Sequence, residues 1–259
     1  MLILKLGGAA ITDKDIPDTA RPDVLRRIAG LIAAYQQPMI LVHGAGSFGH
    51  ITAKAYDLHR GLLPEQRDRQ REGLVRLQVQ LHELNRLVID SLIEAGLPAV
   101  SVHPASMCVM ENRRIVSLFT EPIHRLLDMA LLPVLYGDCV WDRGQRFGIV
   151  SGDQLMIHLA NEFTADCVAF GTNVDGVLDA DGKVIPFLNL SQMTHISDHS
   201  GQNHPRRADV TGGMQGKLQE IAAIRNPSSR IWIFNLANID ALERILAGGD
   251  NAGTLISTG

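Results

Sequence analysis

The feature that most constrains this chain is a regular alternation of short apolar runs with segments of helical spacing. LILKL and PMILVHG are apolar runs closed by glycine, and the segment from Pro22 to Tyr35 between them has helical periodicity with Asp23 in its first turn. The alternation continues to a final apolar run, GTLIS. This pattern predicts an α/β fold, a three-layer αβα sandwich with a mainly parallel central sheet, whose ligand groups lie in loops at the carboxyl ends of the strands.

The middle of the chain adds further elements to this alternation. Its periodicity predicts a long polar helix from about Gln66 to Glu94, and a short helix near Pro122 to Met129. Turn signals predict one hairpin around Asn112 and another around Arg143-Gly144. Later helices are expected from about Asp153, over Met214 to Ile224, and from about Ile239.

Composition limits the classes of partner. A chain of 259 residues with 46% hydrophobic content suits a single domain over residues 1–259. The formal charge of −4 and the lack of a dense Lys/Arg run argue against nucleic acid as a partner. MLILKLGG lacks a basic segment followed by a long apolar stretch, and no run reaches the roughly 18 apolar residues that span a bilayer. We therefore expect a cytoplasmic protein that acts on a small molecule.

The sequence context of the cysteines and of most histidines indicates structural roles. Cys108, Cys139 and Cys167 lie in separate apolar runs, as small buried side chains rather than a disulfide or metal framework. The stretch from Ser197 to Asp209 is rich in histidine and arginine but has no recognisable ligand spacing. We interpret it as a mobile polar loop.

Lysine is rare in this chain, which makes its positions informative. Of 24 Lys and Arg residues only five are lysine, namely Lys5, Lys14, Lys54, Lys183 and Lys217. A compact ammonium on a flexible stem is expected where a planar guanidinium would not serve. Three of the five accompany glycine-rich segments, whereas Lys54 is expected on an exposed helical face and Lys183 in a solvated turn.

Two glycine-rich segments near the start could bind anions. In the first, an apolar strand ends at Lys5 and runs into Gly7-Gly8-Ala9, which suits an anion cradle or a plain strand-to-turn junction. In the second, HGAGSFGH follows a buried strand and precedes a helix with Ser47 near its cap. His50 in the first turn is placed to bond a phosphate oxygen, and His43 is expected to be structural.

Two later segments open helices, and a third forms a turn. Asp153, after Ser151-Gly152, either holds two lysines in place or is a carboxylate favoured by the helix dipole. The segment DVTGGMQGK brings glycines and Lys217 to a helix start, an arrangement suited to the β- and γ-phosphates of a nucleotide. The turn TNVDGV after a strand suits contact with a base or ribose.

Taken together, these motifs resemble those of a known family. KLGGAAITDK, HGAGSFGH, YGD, SGDQ, TNVDGV and DVTGGMQGK, in this order and spacing, are similar to the isopentenyl phosphate kinase branch of the amino acid kinase superfamily. ITDK and the final histidine of SFGH are the more branch-specific features. The sequence departs from the usual pattern at Ala9, Ala45, Gln154 and Asn173.

The resemblance implies an amino acid kinase fold and transfer of the ATP γ-phosphoryl group to isopentenyl phosphate. It implies Lys5 and Lys217 at the ATP phosphates, Lys14 at the transferring group or its ATP side, His50 at the acceptor phosphate, and Asp153 as the residue that orients the lysines. Backbone contacts to the substrate are implied for Gly8, Ala45, Gly46, Gly49 and Gly152. Contacts to ATP are further implied for Gly7, Gly8, Ala9, Ser47, Thr172, Asn173, Asp175, Gly176, Gly212 and Gly213.

Further expectations follow from the same resemblance. Mg²⁺ is expected as the phosphate counterion, held by ATP oxygens and water rather than by protein ligands. A homodimer is implied, with the acceptor site in about residues 1–150 and the ATP site in about residues 151–259.

Several alternatives remain at this stage. A fosfomycin-kinase-like enzyme, a kinase for another small acid, or a non-catalytic nucleotide or oxyanion sensor would use the same fold. Leu74, Leu77, Leu81 and Leu84 of the long helix could form a pocket for a five-carbon tail or ordinary core.

Overall fold

The computed structural model describes residues 1–179, 181–190 and 213–259. Its strands are β1 (Leu2–Leu6), β2 (Met39–His43), β3 (Ala99–Ser101), β4 (Cys108–Glu111), β5 (Arg114–Leu118), β6 (Leu132–Tyr136), β7 (Asp138–Asp142), β8 (Arg146–Val150), β9 (Cys167–Thr172), β10 (Phe187–Asn189), β11 (Arg230–Asn235) and β12 (Thr254–Ser257). Its helices are α1 (Gly8–Ile11), α2 (Pro22–Ala33), α3 (Gly46–Ala55), α4 (Arg67–Glu94), α5 (Glu121–Asp128), α6 (Gly152–Glu162), α7 (Gly213–Ile221) and α8 (Ile239–Leu246). The predicted loop from Ser197 to Asp209 lies outside the described residues.

The main sheet has eight strands in the order β10-β12-β11-β9-β1-β2-β6-β3. Its centre is parallel: Leu4 of β1 lies opposite Leu41 on one side and Ala169 on the other. The last strand, β12, runs antiparallel to β11. The prediction of a mainly parallel sheet is confirmed, and the strand ends that carry the glycine motifs meet at one edge.

Both faces of the main sheet are buried, because side chains alternate along each strand. Leu2, Leu4 and Leu6 of β1 pack on one side with residues of α2, the second half of α4, and α8. Ile3 packs on the other side with residues of α5, α6 and α7. The three predicted layers are therefore present. Lys5 shares the face of Ile3, which directs it toward α6 and α7.

The two predicted hairpins form a separate four-stranded sheet, in the order β5-β4-β7-β8. The first half of α4 covers this sheet, with Leu77 and Leu81 packed near Tyr136 and Phe147. Helix α4 thus bridges the two sheets, and its leucines line the junction between them.

The expectations about the cysteines, Lys54 and Lys183 are met. All three cysteines are free thiols; Cys108 and Cys139 are buried, and Cys167 is partly buried. Lys54 and Lys183 are exposed. Within the described ranges, no helix combines the length and the apolar character needed to cross a membrane.

The loops after β1 and β2 touch backbone to backbone. A Cβ added at Gly8 would lie 2.3 Å from the backbone nitrogen of Gly46, and one at Gly44 would lie 2.6 Å from the nitrogen of Gly8. Gly46 also has φ of +51°, a region that favours glycine. This contact fixes the spacing between the two predicted anion cradles.

The contact generates a stability prediction. Gly8→Ala should destabilise the protein by about 2 kcal/mol or more, because the new methyl meets backbone that cannot rotate away. Gly30→Ala is the matched control, because Gly30 lies within α2 and nothing lies within 4 Å of the added Cβ. This substitution should raise the free energy of unfolding by about 0.5–1 kcal/mol. Urea unfolding measures both variants. Similar free energies of unfolding for the two would contradict the close approach.

Candidate active site

The glycine-rich loops converge on a cavity of about 320 Å³ at the carboxyl ends of the central strands. It is bordered by most of the residues that the sequence predicted to act together. These are Lys5, Gly7, Gly8, Ala9, Ala45, Gly49, His50, Gly152, Asp153, Thr172, Asn173, Gly213 and Lys217. Residues more than two hundred positions apart in the chain thus share one cavity.

Five predicted site residues do not border this cavity, and Gly212 lies outside the described residues. Lys14 lies on an exposed loop, Gly46 is buried against Thr12 and Gly8, and Gly176 packs against Thr254. The carboxylate of Asp175 accepts a hydrogen bond from Asn235 Nδ2 at 2.8 Å.

Ser47, which was predicted to contact ATP, makes hydrogen bonds within the protein that the sequence analysis did not predict. Its backbone N–H donates to Thr12 Oγ1 at 3.0 Å, and its own Oγ accepts from the Thr19 N–H at 3.4 Å. Helix α3 begins at Gly46 with Ala45 at the N-cap and no side-chain capping bond. In this arrangement Ser47 ties the Lys14 loop to α3.

One part of the cavity lining is a buried cluster of three charged side chains. Lys5 Nζ donates to Asp153 Oδ1 at 2.6 Å, while Lys217 Nζ lies 2.8 Å from Oδ1 and 2.7 Å from Oδ2. The three side chains are only 11–12% exposed. Of the two sequence interpretations of Asp153, the one in which it holds two lysines is confirmed.

Local sequence explains how this cluster forms. Lys5 lies on β1, Asp153 in the first turn of α6, and Lys217 on α7. Ser151 begins α6 as its N-cap, accepting a hydrogen bond from the Gln154 N–H at 3.1 Å. A Cβ at Gly152 would lie 3.0 Å from Lys5 Cε, so the glycine leaves room for the lysine stem.

The cluster carries one surplus positive charge. Burial acts to raise the pKa of the Asp153 carboxyl, but the charges of Lys5 and Lys217 outweigh it and hold that pKa at about 2. Burial, with the nearby Lys5 charge, lowers the pKa of Lys217 to about 8, against the opposing pull of Asp153. At neutral pH Asp153 is ionised and Lys217 mostly protonated. Two ammonium groups against one carboxylate attract an anion, such as a phosphate, into the cavity.

Another part of the cavity lining is apolar. It is formed by Leu77 and Leu81 of α4 together with Ala53 and Ile149. A Cβ at Gly49 would lie 2.5 Å from Ala45 Cβ and 3.2 Å from Leu81 Cδ2, so α3 packs tightly on α4 there. The predicted leucine stripe is divided: Leu77 and Leu81 border the cavity, whereas Leu84 belongs to the core under the main sheet.

Sequence reasoning missed Asp138, which follows β6 and borders the cavity while remaining buried. Its carboxylate accepts hydrogen bonds from the Cys139 and Ala105 N–H groups and from Gln78 Nε2, at 2.7, 3.0 and 2.8 Å. Burial raises its pKa, against these hydrogen bonds. The YGD motif at a strand end was the available signal.

His43 has the structural role that the sequence predicted. It is buried at the end of β2, and its Nε2 lies 3.2 Å from Asn85 Oδ1. Burial lowers the pKa of His43 to about 4, so its ring is neutral at physiological pH. The ring stacks on Tyr136 with centroids 5.3 Å apart.

The described residues contain no group of three or more His, Cys, Asp or Glu side chains arranged to hold a metal ion. Both Asp153 oxygens already accept from lysine.

The charge cluster generates a prediction about acid stability. Because the pKa of Asp153 falls from 3.8 to about 2 on folding, its stabilising contribution is present above about pH 4 and is lost as pH falls through 2. Asp153→Asn should lower the free energy of unfolding at pH 7 by about 3 kcal/mol, since two buried lysines lose their partner. The deficit should narrow as pH falls from about 4 toward 2.

Asp250→Asn is the control, because that carboxylate pairs with Arg230 on the surface and is 75% exposed. Its effect should stay within about 0.5 kcal/mol. Denaturant unfolding across the pH range provides the measurement. An Asp153→Asn deficit that is absent, or constant with pH, would contradict the description of this cluster.

Comparison with known proteins places the chain in a family. Residues 1–235 match the model of the amino acid kinase family. The chain is 36% identical to an isopentenyl phosphate kinase of Methanothermobacter thermautotrophicus, over 99% of both chains, and 34% identical to that of Methanocaldococcus jannaschii, over 96% and 95%. A crystal structure of isopentenyl phosphate kinase superposes with a TM-score of 0.84 at 32% identity, over 99% of this chain and all of that one. The chain belongs to the amino acid kinase family, within the branch of the isopentenyl phosphate kinases.

Proposed function

We propose that this protein transfers the γ-phosphoryl group of ATP to isopentenyl phosphate, producing ADP and isopentenyl diphosphate. The observation that carries the proposal is a single cavity lined by the Lys5–Asp153–Lys217 cluster, which has a surplus positive charge, by His50 and by the apolar side chains of Leu77 and Leu81. Its relatives at 34–36% identity are named for this activity. A phosphorylated acceptor with a short hydrocarbon tail matches both halves of the cavity.

The chemistry needs positioning and positive charge rather than a strong base. An acceptor phosphate is already largely ionised near neutral pH, so no side chain must remove a proton from it. The difficulty is to bring two anions together in line. Lys5 and Lys217 would bind the ATP phosphates and stabilise charge on the moving group, and Asp153 would hold both ammonium groups in position.

The acceptor phosphate would lie on the side of α3. His50 would donate to one of its oxygens, with backbone N–H contacts from the glycine loops and α6. These contacts are assigned to Gly8, Ala45, Gly46, Gly49 and Gly152. The tail would lie against Leu77 and Leu81, and Lys14 would contact the transferring group from its loop.

ATP would occupy the side of β9 and α7. Its contacts are assigned to eight residues that border the cavity, namely Lys5, Gly7, Gly8, Ala9, Thr172, Asn173, Gly213 and Lys217. They are also assigned to Ser47, Asp175, Gly176 and Gly212, which lie within two positions of bordering residues in the chain. Mg²⁺ would neutralise phosphate charge while held by ATP oxygens and water, which suits a cavity whose Asp153 is already paired with lysines.

The two ligand sites correspond to successive parts of the chain. We assign the acceptor site to about residues 1–150 and the ATP site to about residues 151–259 of one amino acid kinase domain. A cytoplasmic homodimer completes the proposal. Light scattering during size-exclusion chromatography tests the dimer, since a mass near 28.3 kDa would contradict it.

The activity is tested by coupled ADP release from ATP and Mg²⁺ with isopentenyl phosphate, fosfomycin, acetylglutamate or UMP as the acceptor. The proposal expects strong turnover with isopentenyl phosphate alone. Turnover only with another acceptor would overturn the substrate, and no turnover with any would indicate a nucleotide or oxyanion sensor.

His50 provides a prediction about the acceptor. His50→Ala should lower kcat/KM for isopentenyl phosphate by about 100-fold, the scale of one lost transition-state contact, with the Kd for ATP changed less than about threefold. His124→Ala is the control, because that histidine lies on the surface near Glu162. Steady-state kinetics and calorimetry measure the two quantities. Equal losses for acceptor and ATP would refute the acceptor role.

Lys14 provides a prediction about the transfer step. Lys14→Ala should lower kcat by at least about 100-fold, since one cation at the moving phosphoryl group is removed. Lys54→Ala, on the exposed face of α3, should leave kcat within about twofold of wild type. Single-turnover phosphoryl transfer is the measurement. An unchanged kcat in Lys14→Ala would remove this residue from the mechanism.

A further inference from the structure

The side-chain amide of Gln80 joins the loop that carries Lys14 to the helix that carries His50. Thr52 Oγ1 on α3 donates to Gln80 Oε1 at 2.6 Å. Gln80 Nε2 donates to both carboxylate oxygens of Asp18, each at 2.8 Å. Gln80 lies on α4 between Leu77 and Leu81, the two leucines of the apolar cavity wall.

The chemistry of the partners fixes the orientation of this amide. An ionised Asp18 carboxylate can only accept hydrogen bonds, so it must face the NH₂ end of Gln80. The Gln80 carbonyl then faces Thr52, whose hydroxyl can donate to it. Both ends of the amide are thus used, and each contacts a different segment of the proposed acceptor site.

The Lys14 loop is also attached near both of its ends. Near its start, Thr12 Oγ1 donates to Gly8 O at 2.8 Å and accepts from the Ser47 N–H at 3.0 Å. Near its end, the Thr19 N–H donates to Ser47 Oγ at 3.4 Å. The Asp13 N–H closes the loop by donating to Thr19 O at 2.8 Å. These contacts fix the ends of the loop, and Thr19 Oγ1 donates to Pro17 O at 2.9 Å across the turn at Asp18. The side chain of Asp18 is held by Gln80.

Asp18 has a backbone conformation that needs support. Its φ is +51°, in the left-handed region that non-glycine residues adopt at an energetic cost. The residue is exposed, so water would hydrate its carboxylate in any orientation of the loop. The two hydrogen bonds from Gln80 select the orientation in which this turn is joined to α4.

We propose that Gln80 is a positioning residue, which holds the Lys14 loop and the His50 helix in one fixed geometry over the acceptor. The proposal rests on the proposed function, because it concerns the approach of Lys14 and His50 to the transferring and acceptor phosphates. Gln80 contacts neither phosphate in this account. Its loss should therefore affect acceptor turnover and leave ATP binding intact, since the Lys5–Asp153–Lys217 cluster lies on other elements.

An exchange of the two functional groups tests the proposal. Gln80→Glu opposes two carboxylates and should lower kcat/KM for the acceptor by about tenfold or more, in line with the sensitivity of transfer to small misplacement. Asp18→Asn keeps an oxygen that accepts a hydrogen bond from Gln80, and asparagine suits a left-handed φ. Its kcat/KM for the acceptor should therefore stay within about twofold of wild type. In the double variant, the Asn amide donates to the Glu carboxylate, and activity should return to within about threefold of wild type.

Two further readouts separate positioning from loss of folding. The Kd for ATP should change less than about twofold in Gln80→Glu, and Tm should shift by less than about 3 °C because the contact lies at the surface. Wild-type kinetics in Gln80→Glu, a defect that Asp18→Asn does not rescue, or a parallel loss of ATP binding would each overturn the proposal.

The wild-type protein distinguishes this proposal from the proposed function. Lack of wild-type turnover with isopentenyl phosphate would refute the substrate. The Gln80 proposal is judged from variant-to-wild-type ratios with whichever acceptor of the panel the wild type turns over, and lack of turnover with every acceptor would refute both.

Discussion

The rest of the structure depends on one buried carboxylate, Asp153, placed between two lysines. Burying Lys5 or Lys217 alone would be costly, and each is stabilised because Asp153 lies within 2.8 Å of both. The cluster joins β1, α6 and α7, elements that are far apart in the chain. It also leaves one positive charge at the edge of the cavity. The ion pairs that join these three elements therefore also provide the charge that attracts a phosphate.

Two forms of close packing set the geometry around that charge. At Gly8, Gly44 and Gly46 the loops after β1 and β2 touch through their backbones, and residues of both loops border the same cavity as the cluster. The side chains of helix α4 contact three different parts of the structure. Leu84 belongs to the core of the main sheet, while Leu77 and Leu81 border the cavity, and Gln80 between them reaches Asp18 and Thr52. A single long helix thereby links core, apolar wall and loop.

Much of this could be predicted from local sequence. Periodicity located the parallel strands, and glycine next to lysine identified the elements that meet at the cavity. The sequence analysis did not predict strand pairings that have no local signal. Examples are the antiparallel pairing of β12 with β11 and the joining of the two hairpins into a separate sheet. It also did not predict α1, which has only four residues. The contact between Gln80 and Asp18 spans 62 positions, and nothing beside either residue indicates the other. Asp138 was overlooked because a carboxylate after a strand has many possible roles.

The central claim is that the Lys5–Asp153–Lys217 cluster binds the phosphates during transfer. A crystal structure with a non-hydrolysable ATP analogue, Mg²⁺ and isopentenyl phosphate tests it most directly, through the distances from the two lysine Nζ atoms to the phosphate oxygens. We expect both Nζ atoms within about 3 Å of ATP phosphate oxygens while still bonded to Asp153, with the acceptor phosphate beside His50. Phosphates bound away from this cluster, with both lysines contacting only Asp153, would contradict it.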